Sequence, residues 1–269
     1  MLHKMIEAER GVVHYWASVR PGDRKTLLFT HGLTANHEMF EKQVAFFRDD
    51  FNVITWDVPL HGLSRPYADF SYADCAERMK DILDAEGVPR VVLVGMSMGG
   101  YPSQAFAAEY PAMVEGFVAL DTTPFGLRYY SRSDIWILER VGAMARWFPA
   151  ETLRKAMAKS VSRTEYSRQL MERMLAPLAK AELVEQMDIA YGGFIKQNRD
   201  VRFSFPVLLL LGQYDKTGKV AAYNRQWAQE TGYPLVVIDD AAHLSNCDNP
   251  DAVNDAILGF VKSLGTRPG

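Results

Sequence analysis

The chain has 269 residues, 48% hydrophobic, 12% aromatic and 23% charged, with a formal net charge of −3. That composition suits one globular domain, or one domain carrying an insertion, and the slightly acidic balance argues against a nucleic-acid partner. The longest uninterrupted apolar run is five residues, 207–211, where a membrane span needs about 20, so no stable membrane insertion is expected.

Residues 1–11 carry Glu7 and Glu9 and no apolar stretch of the secretory type, and are expected to belong to the fold rather than to a leader. The cysteines are Cys75 and Cys247, too few for a disulfide scaffold or a thiolate metal cage, which points to a reducing, cytoplasmic setting.

In chain order, residues 6–15 place β-formers on either side of Arg10-Gly11 and predict an opening hairpin. Short apolar runs then alternate with helical patterns: runs at 26–30, 52–56, 91–94 and 117–120, with helices at 37–48, 72–87 and 98–109. From 124 to 200 the pattern is helical throughout, punctuated by Pro149 and Pro177, and no strand is predicted. Alternation resumes with runs at 207–211 and 235–238, a helix at 219–230 and a last helix at 250–264. Asn249 suits the cap of that helix and Pro250 its first position. Residues 265–269 are expected to form a frayed tail.

Strands alternating with helices predict an α/β fold, a mostly parallel sheet covered on both faces. The core is expected at 1–123 and 201–269, with 124–200 as a helical insertion above the strand ends. The insertion holds 13 basic and 9 acidic residues, +4, against 17 − 24 = −7 elsewhere.

The strongest chemical signal is Gly95-Met96-Ser97-Met98-Gly99, between an apolar run and a helix. This is the context in which G-x-S-x-G forms a nucleophile elbow: the turn is so tight that only small residues fit two positions either side of the serine. A serine hydroxyl needs a base, and His243 follows the last apolar run. The base needs an acceptor to fix its tautomer. Asp215, after the preceding run, is the first candidate and Asp121 the second. Backbone N–H groups of Leu33 and Met98 are the expected oxyanion donors. His31 is expected to hold its loop by hydrogen bonds, and Asp57 to tie together the turn that follows it. No carboxylate or thiolate cluster accompanies His31, His37 and His61, so neither metal nor cofactor is expected.

Five segments in this order resemble the α/β-hydrolase superfamily, in its lid-bearing serine esterase and lipase-like branch: His31-Gly32-Leu33, Asp57 to Ser64 (DVPLHGLS), the elbow GMSMGG, Gly212 to Asp215, and Ala242 to Asn246. The resemblance implies an eight-stranded sheet, a helical lid over about 124–200, and a covalent acyl-enzyme mechanism without cofactor. Ser97 stands where related epoxide hydrolases and haloalkane dehalogenases carry aspartate, and Leu244 where carbon–carbon-cleaving relatives carry tryptophan. The stretch His243-Leu244-Ser245-Asn246 is similar to that of enol-lactonases.

The expected activity is cleavage of a carboxylic ester with a small-to-medium apolar acyl or aryl group. Phe125, Tyr129, Trp136, Met144 and Trp147 are candidates for the pocket wall. Alternatives are a lactonase or thioesterase, a slow ligand sensor on the same fold, and a cofactor-free perhydrolase or haloperoxidase.

Overall fold

A computed structural model describes residues 1–265, so residues 266–269 of the expected tail lie outside the described part. The chain opens with β1 (Leu2–Ala8) and β2 (Gly11–Ser18), paired antiparallel about the predicted turn. Then come β3 (Thr26–Thr30), α1 (Glu41–Phe47), β4 (Asn52–Trp56), α2 (Tyr72–Ala85), β5 (Val91–Met96), α3 (Gly100–Glu109) and β6 (Val114–Leu120). A helical block follows: α4 (Arg132–Leu138), α5 (Val141–Ala145), α6 (Ala150–Val161), α7 (Glu165–Leu175), α8 (Lys180–Asp188) and, after a wide turn at Ile189–Gly193, α9 (Phe194–Gln197). The chain closes with β7 (Val207–Gly212), α10 (Val220–Thr231), β8 (Leu235–Ile238), α11 (Ser245–Asp248) and α12 (Pro250–Ser263).

The eight strands form one sheet in the order β1-β2-β4-β3-β5-β6-β7-β8. Strands β4 to β8 and β3 run parallel, and the opening hairpin joins them through an antiparallel β2–β4 pair. Side chains alternate between faces. Leu28, Ile54, Leu93, Phe117 and Leu209 pack with Met79 and Ile82 of α2, Phe106 of α3 and Trp227 of α10. Leu27, Phe29, Val53, Val92, Val118 and Leu210 pack on the opposite face with Phe47 of α1 and with Val253, Ile257 and Val261 of α12. The helical block touches both groups: Phe194 of α9 joins the first, and Leu170, Met174 and Leu175 of α7 the second.

Asn249 caps α12 by accepting from the Ala252 N–H, with Pro250 at its first position. Pro102 falls in the first turn of α3, where an N–H has no partner within the helix and its loss costs little. Gly116 lets α12 approach β6: a Cβ there would lie 2.9 Å from Phe260 and Leu264. No helix of the described residues is long and apolar enough to cross a membrane.

Candidate active site

The carboxyl ends of β3 to β8 lie at one edge, where open α/β sheets form their crevices, and the sequence-predicted groups all leave the sheet there. At the end of β5 the backbone turns so sharply that Ser97 takes φ +51°. The neighbours explain why. A Cβ on Gly95 would come within 2.7 Å of Gly100 Cα and the Gly99 carbonyl, and a Cβ on Gly99 would overlap the carbonyls of Thr30 and His31. The Thr122 hydroxyl donates to the Ser97 carbonyl at 2.6 Å and fixes the turn from the β6 side.

Ser97 is partly accessible, while His243 and Asp215 are buried. Ser97 Oγ lies 2.8 Å from His243 Nε2, and His243 Nδ1 lies 2.8 Å from Asp215 Oδ2. With the ring proton on Nδ1 and donated to Asp215, Nε2 is left to accept from the serine. Asp215 is also steadied by the Thr217 N–H at 2.8 Å. Burial opposes a charged imidazole, but the Asp215 carboxylate, by charge and hydrogen bond, and Asp121 behind it hold the His243 pKa above the ordinary 6.5. Burial likewise opposes the Asp215 charge, yet the His243 partner keeps its pKa below the usual carboxylate value.

Asp121 does not touch His243. Its Oδ1 accepts from the Gly212 N–H at 2.7 Å, and its Oδ2 from the Ser245 N–H and hydroxyl. It therefore clamps the turn carrying Asp215 to the turn carrying His243. Burial and the nearby Asp215 charge push its pKa up to about 7.

Gly32 packs beside the elbow: a Cβ on it would stand 3.2 Å from Ser97 Cβ. This brings the His31-Gly32-Leu33 backbone to the serine. His31 Nδ1 donates to the Gly32 carbonyl at 2.8 Å, and its Nε2 accepts from the Val58 N–H at 3.0 Å. Asp57 Oδ1 accepts from the His37 N–H and ring at 2.8 Å each, and Oδ2 from the Leu63 N–H at 2.7 Å. His61 donates to the Pro59 carbonyl at 3.0 Å. His31, His37 and His61 thus serve loop geometry. Burial lowers the pKa of His31 to about 4 and of His61 to about 3. A lowered folded value means that the unfolded chain binds the proton first, so both rings lend stability above pH 6.5 that is lost as pH falls toward 4 and 3. The loss expected from His31 alone is on the order of 3 kcal/mol. Urea unfolding between pH 7 and 4 checks it: His31→Asn and His61→Asn should each flatten the dependence, and an unchanged slope in both would refute the assignment.

The predicted pocket wall is only partly assembled. Phe125 is buried beside the stacked rings of Tyr101 and Phe194, and Tyr129 is buried beside Arg128. Trp136, Met144 and Trp147 instead face solvent, Trp147 with 88% of its surface exposed. The reason lies on the inner side of α4 and α5, where Asp134, Gly142 and Ala145 are buried and Gly142 sits so close to Asp188 that a Cβ would overlap its carboxylate. The apolar group beside Leu33 comes from Val141, Ala145, Leu153, Met157, Val184, Met187 and Tyr191.

Two features escaped the sequence reading. One is Thr122 and Asp121 as braces, which the polar Asp-Thr-Thr triplet after an apolar run hinted at. The other is Asp248, which accepts from the N–H groups of Ala242 at 2.9 Å, Arg163 at 3.0 Å and Thr164 at 2.8 Å. With the bond from the Leu244 N–H to the Val161 carbonyl at 2.9 Å, it ties the His243 loop to the α6–α7 turn.

A family model described as alpha/beta hydrolase fold matches residues 25–250. The chain is 27% identical over 256 residues to a 2-(acetamidomethylene)succinate hydrolase of Mesorhizobium japonicum, covering 89% of each. It is 24% identical to 3-oxoadipate enol-lactonase 2 of Acinetobacter baylyi, covering 92% of each. Among solved structures, an esterase of Thermogutta terrifontis superposes with a TM-score of 0.79 at 22% identity, covering 99% of this chain and 100% of that one.

Proposed function

Since this chain belongs to the alpha/beta hydrolase fold family, we propose that it is a serine hydrolase. It cleaves a carboxylic ester with a small-to-medium apolar acyl or aryl group through an acyl-enzyme. The observation that carries this reading is the unbroken chain from Ser97 Oγ through His243 to Asp215, 2.8 Å at each step.

Ser97 Oγ attacks the ester carbonyl while His243 Nε2 takes its proton, and Asp215 stabilises the imidazolium. The Leu33 and Met98 N–H groups hold the oxyanion. The tetrahedral intermediate collapses, the C–O bond breaks, and His243 gives the proton to the leaving alcohol. Water then attacks the acyl carbonyl with His243 as base, and the acid leaves as Ser97 recovers its proton. The helical block acts as the lid, and the apolar group beside Leu33 receives the acyl or aryl part. An enol-lactonase among the relatives supports a second reading of the same chemistry, an internal ester whose alcohol stays tethered to the acid.

A p-nitrophenyl ester series from acetate to palmitate tests this. Turnover with an optimum at short or medium chains is expected. No turnover on the series or on an enol-lactone, or a preference for short, highly charged acids, would overturn it. The pH profile is a second check. Only neutral His243 accepts the serine proton, so kcat/KM should fall as pH drops, with its acidic limb above the ordinary histidine value of 6.5.

A further inference from the structure

Tyr72, Tyr101 and Tyr130 stand where the helical block meets the core, and each phenol has a partner. The Tyr72 hydroxyl donates to the Ala190 carbonyl at 3.3 Å, the Tyr101 hydroxyl lies 2.9 Å from Thr123 Oγ1, and the Tyr130 hydroxyl donates to the Pro124 carbonyl at 2.7 Å. Tyr191 differs. Its hydroxyl makes no hydrogen bond with any described residue, and it is not sealed from solvent. A phenol so enclosed usually finds a partner. Tyr191 stands in the wide π-helical turn at Ile189–Gly193, a geometry that recurs at functional sites. The turn is anchored on both sides, at Ala190 by Tyr72 and at Phe194 by its stack on Tyr101, with ring centroids 4.2 Å apart. The Tyr191 ring packs in the apolar group beside Leu33, with Val184 and Met187. Its phenol also raises the pKa of Tyr101, in the first turn of α3 just after the elbow, so the two lie close.

We propose that the Tyr191 hydroxyl is a specificity-determining donor, giving a hydrogen bond to a neutral oxygen (ketone, ether or hydroxyl) carried by the acyl part of the ester. This rests on the ester hydrolase reading and narrows it, since the acyl group is then apolar except at one oxygen. An oxygen entering a wall of apolar side chains loses its water, which is costly unless a donor replaces it. Tyr191 supplies that donor. An all-carbon chain of the same length leaves the phenol unpaired instead. The acceptor is neutral because the surroundings are. Burial is what pushes the Tyr191 pKa up, and no cation or carboxylate of the described residues contributes. A carboxylate brought to this point would lie buried without a counter-charge. The bond is made to a part of the substrate remote from the reacting carbonyl. It is equally strong in ground and transition states, so its effect falls on KM rather than kcat.

Paired p-nitrophenyl esters test it in the full-length chain. An ether or ketone oxygen is moved one position at a time along pentanoyl and hexanoyl chains, and each ester is compared with the all-carbon ester of the same length. The ratio of the two kcat/KM values is taken within each protein, so a change in stability does not move it. Intrinsic ester reactivity cancels between the wild type and Tyr191→Phe, which loses only the hydroxyl. For at least one oxygen position the ratio should be about three- to tenfold higher in the wild type than in Tyr191→Phe, carried by KM, while the all-carbon esters change by about twofold or less. Equal ratios in the two proteins at every position would overturn the proposal. So would a loss in Tyr191→Phe that falls alike on oxygen-bearing and all-carbon esters, the mark of a structural role. Either result leaves the serine hydrolase reading standing, whereas a wild type that hydrolyses neither kind of ester would remove both.

Discussion

Replacement of Ser97 by alanine is expected to lower kcat by at least about 10³ while leaving the fold intact. The loss is large because the serine, base and acid act as one unit, and removing the nucleophile leaves only oxyanion binding and substrate positioning to assist water. The fold should survive because Ser97 makes its backbone contribution through the carbonyl held by Thr122, which alanine retains. Alanine at φ +51° is somewhat less at ease than serine, so a small drop in thermal stability is expected beside the large drop in rate. Burst kinetics with p-nitrophenyl acetate, compared in the two proteins, separate the effects. A variant that still showed an acyl-enzyme burst would exclude Ser97 as nucleophile.

The second large effect distinguishes Asp215 from Asp121. Asp215→Asn is expected to cost about 10³–10⁴ in kcat. The amide can turn its NH2 to His243 Nδ1, which then accepts, and the ring proton moves to Nε2, facing a serine it can no longer deprotonate. Asp121→Asn should cost about tenfold or less at the optimum, since its carboxylate contacts Gly212 and Ser245 and not the imidazole. Its signature lies in the pH profile. The Asp121 charge raises the His243 pKa, so its removal should move the acidic limb of kcat/KM to lower pH. Equal losses in the two variants, or a larger loss at Asp121, would reverse the assignment.

How much of this could be read from sequence depended on range. Strands β3, β4 and β8 match the predicted runs residue for residue, β8 because Pro234 and Asp239 bound it on both sides. β6 begins at Val114, three residues before its predicted start. Glu115 and Gly116 interrupt its apolar run for reasons that lie elsewhere: Glu115 pairs with Lys25, and Gly116 admits α12. The juxtaposition of Ser97, Asp215 and His243 was legible because each stands just past an apolar run, and parallel strands end on one edge. The braces were not, since Asp121 finds Ser245 across 124 residues and nothing local announces the pairing. Trp136 and Trp147 are expected at the pocket wall because large apolar side chains usually leave solvent, yet both face it. The small residues Gly142 and Ala145 between them, which mark the inner side, carry a weaker signal than the rings.

The bonds joining Asp248 and Leu244 to the α6–α7 turn bear on how such proteins recombine. A chimera that exchanged the whole segment between β6 and β7 for a relative's would keep these bonds to the loop carrying His243 only where the incoming turn sets its main-chain groups in the same places. Breakpoints just after Tyr130 and just before Ala150 would swap only α4 and α5, and leave that loop its native backbone partners. Diversity in this region should therefore be cheapest to accumulate in the outward-facing pair of helices and costliest in the turn behind them.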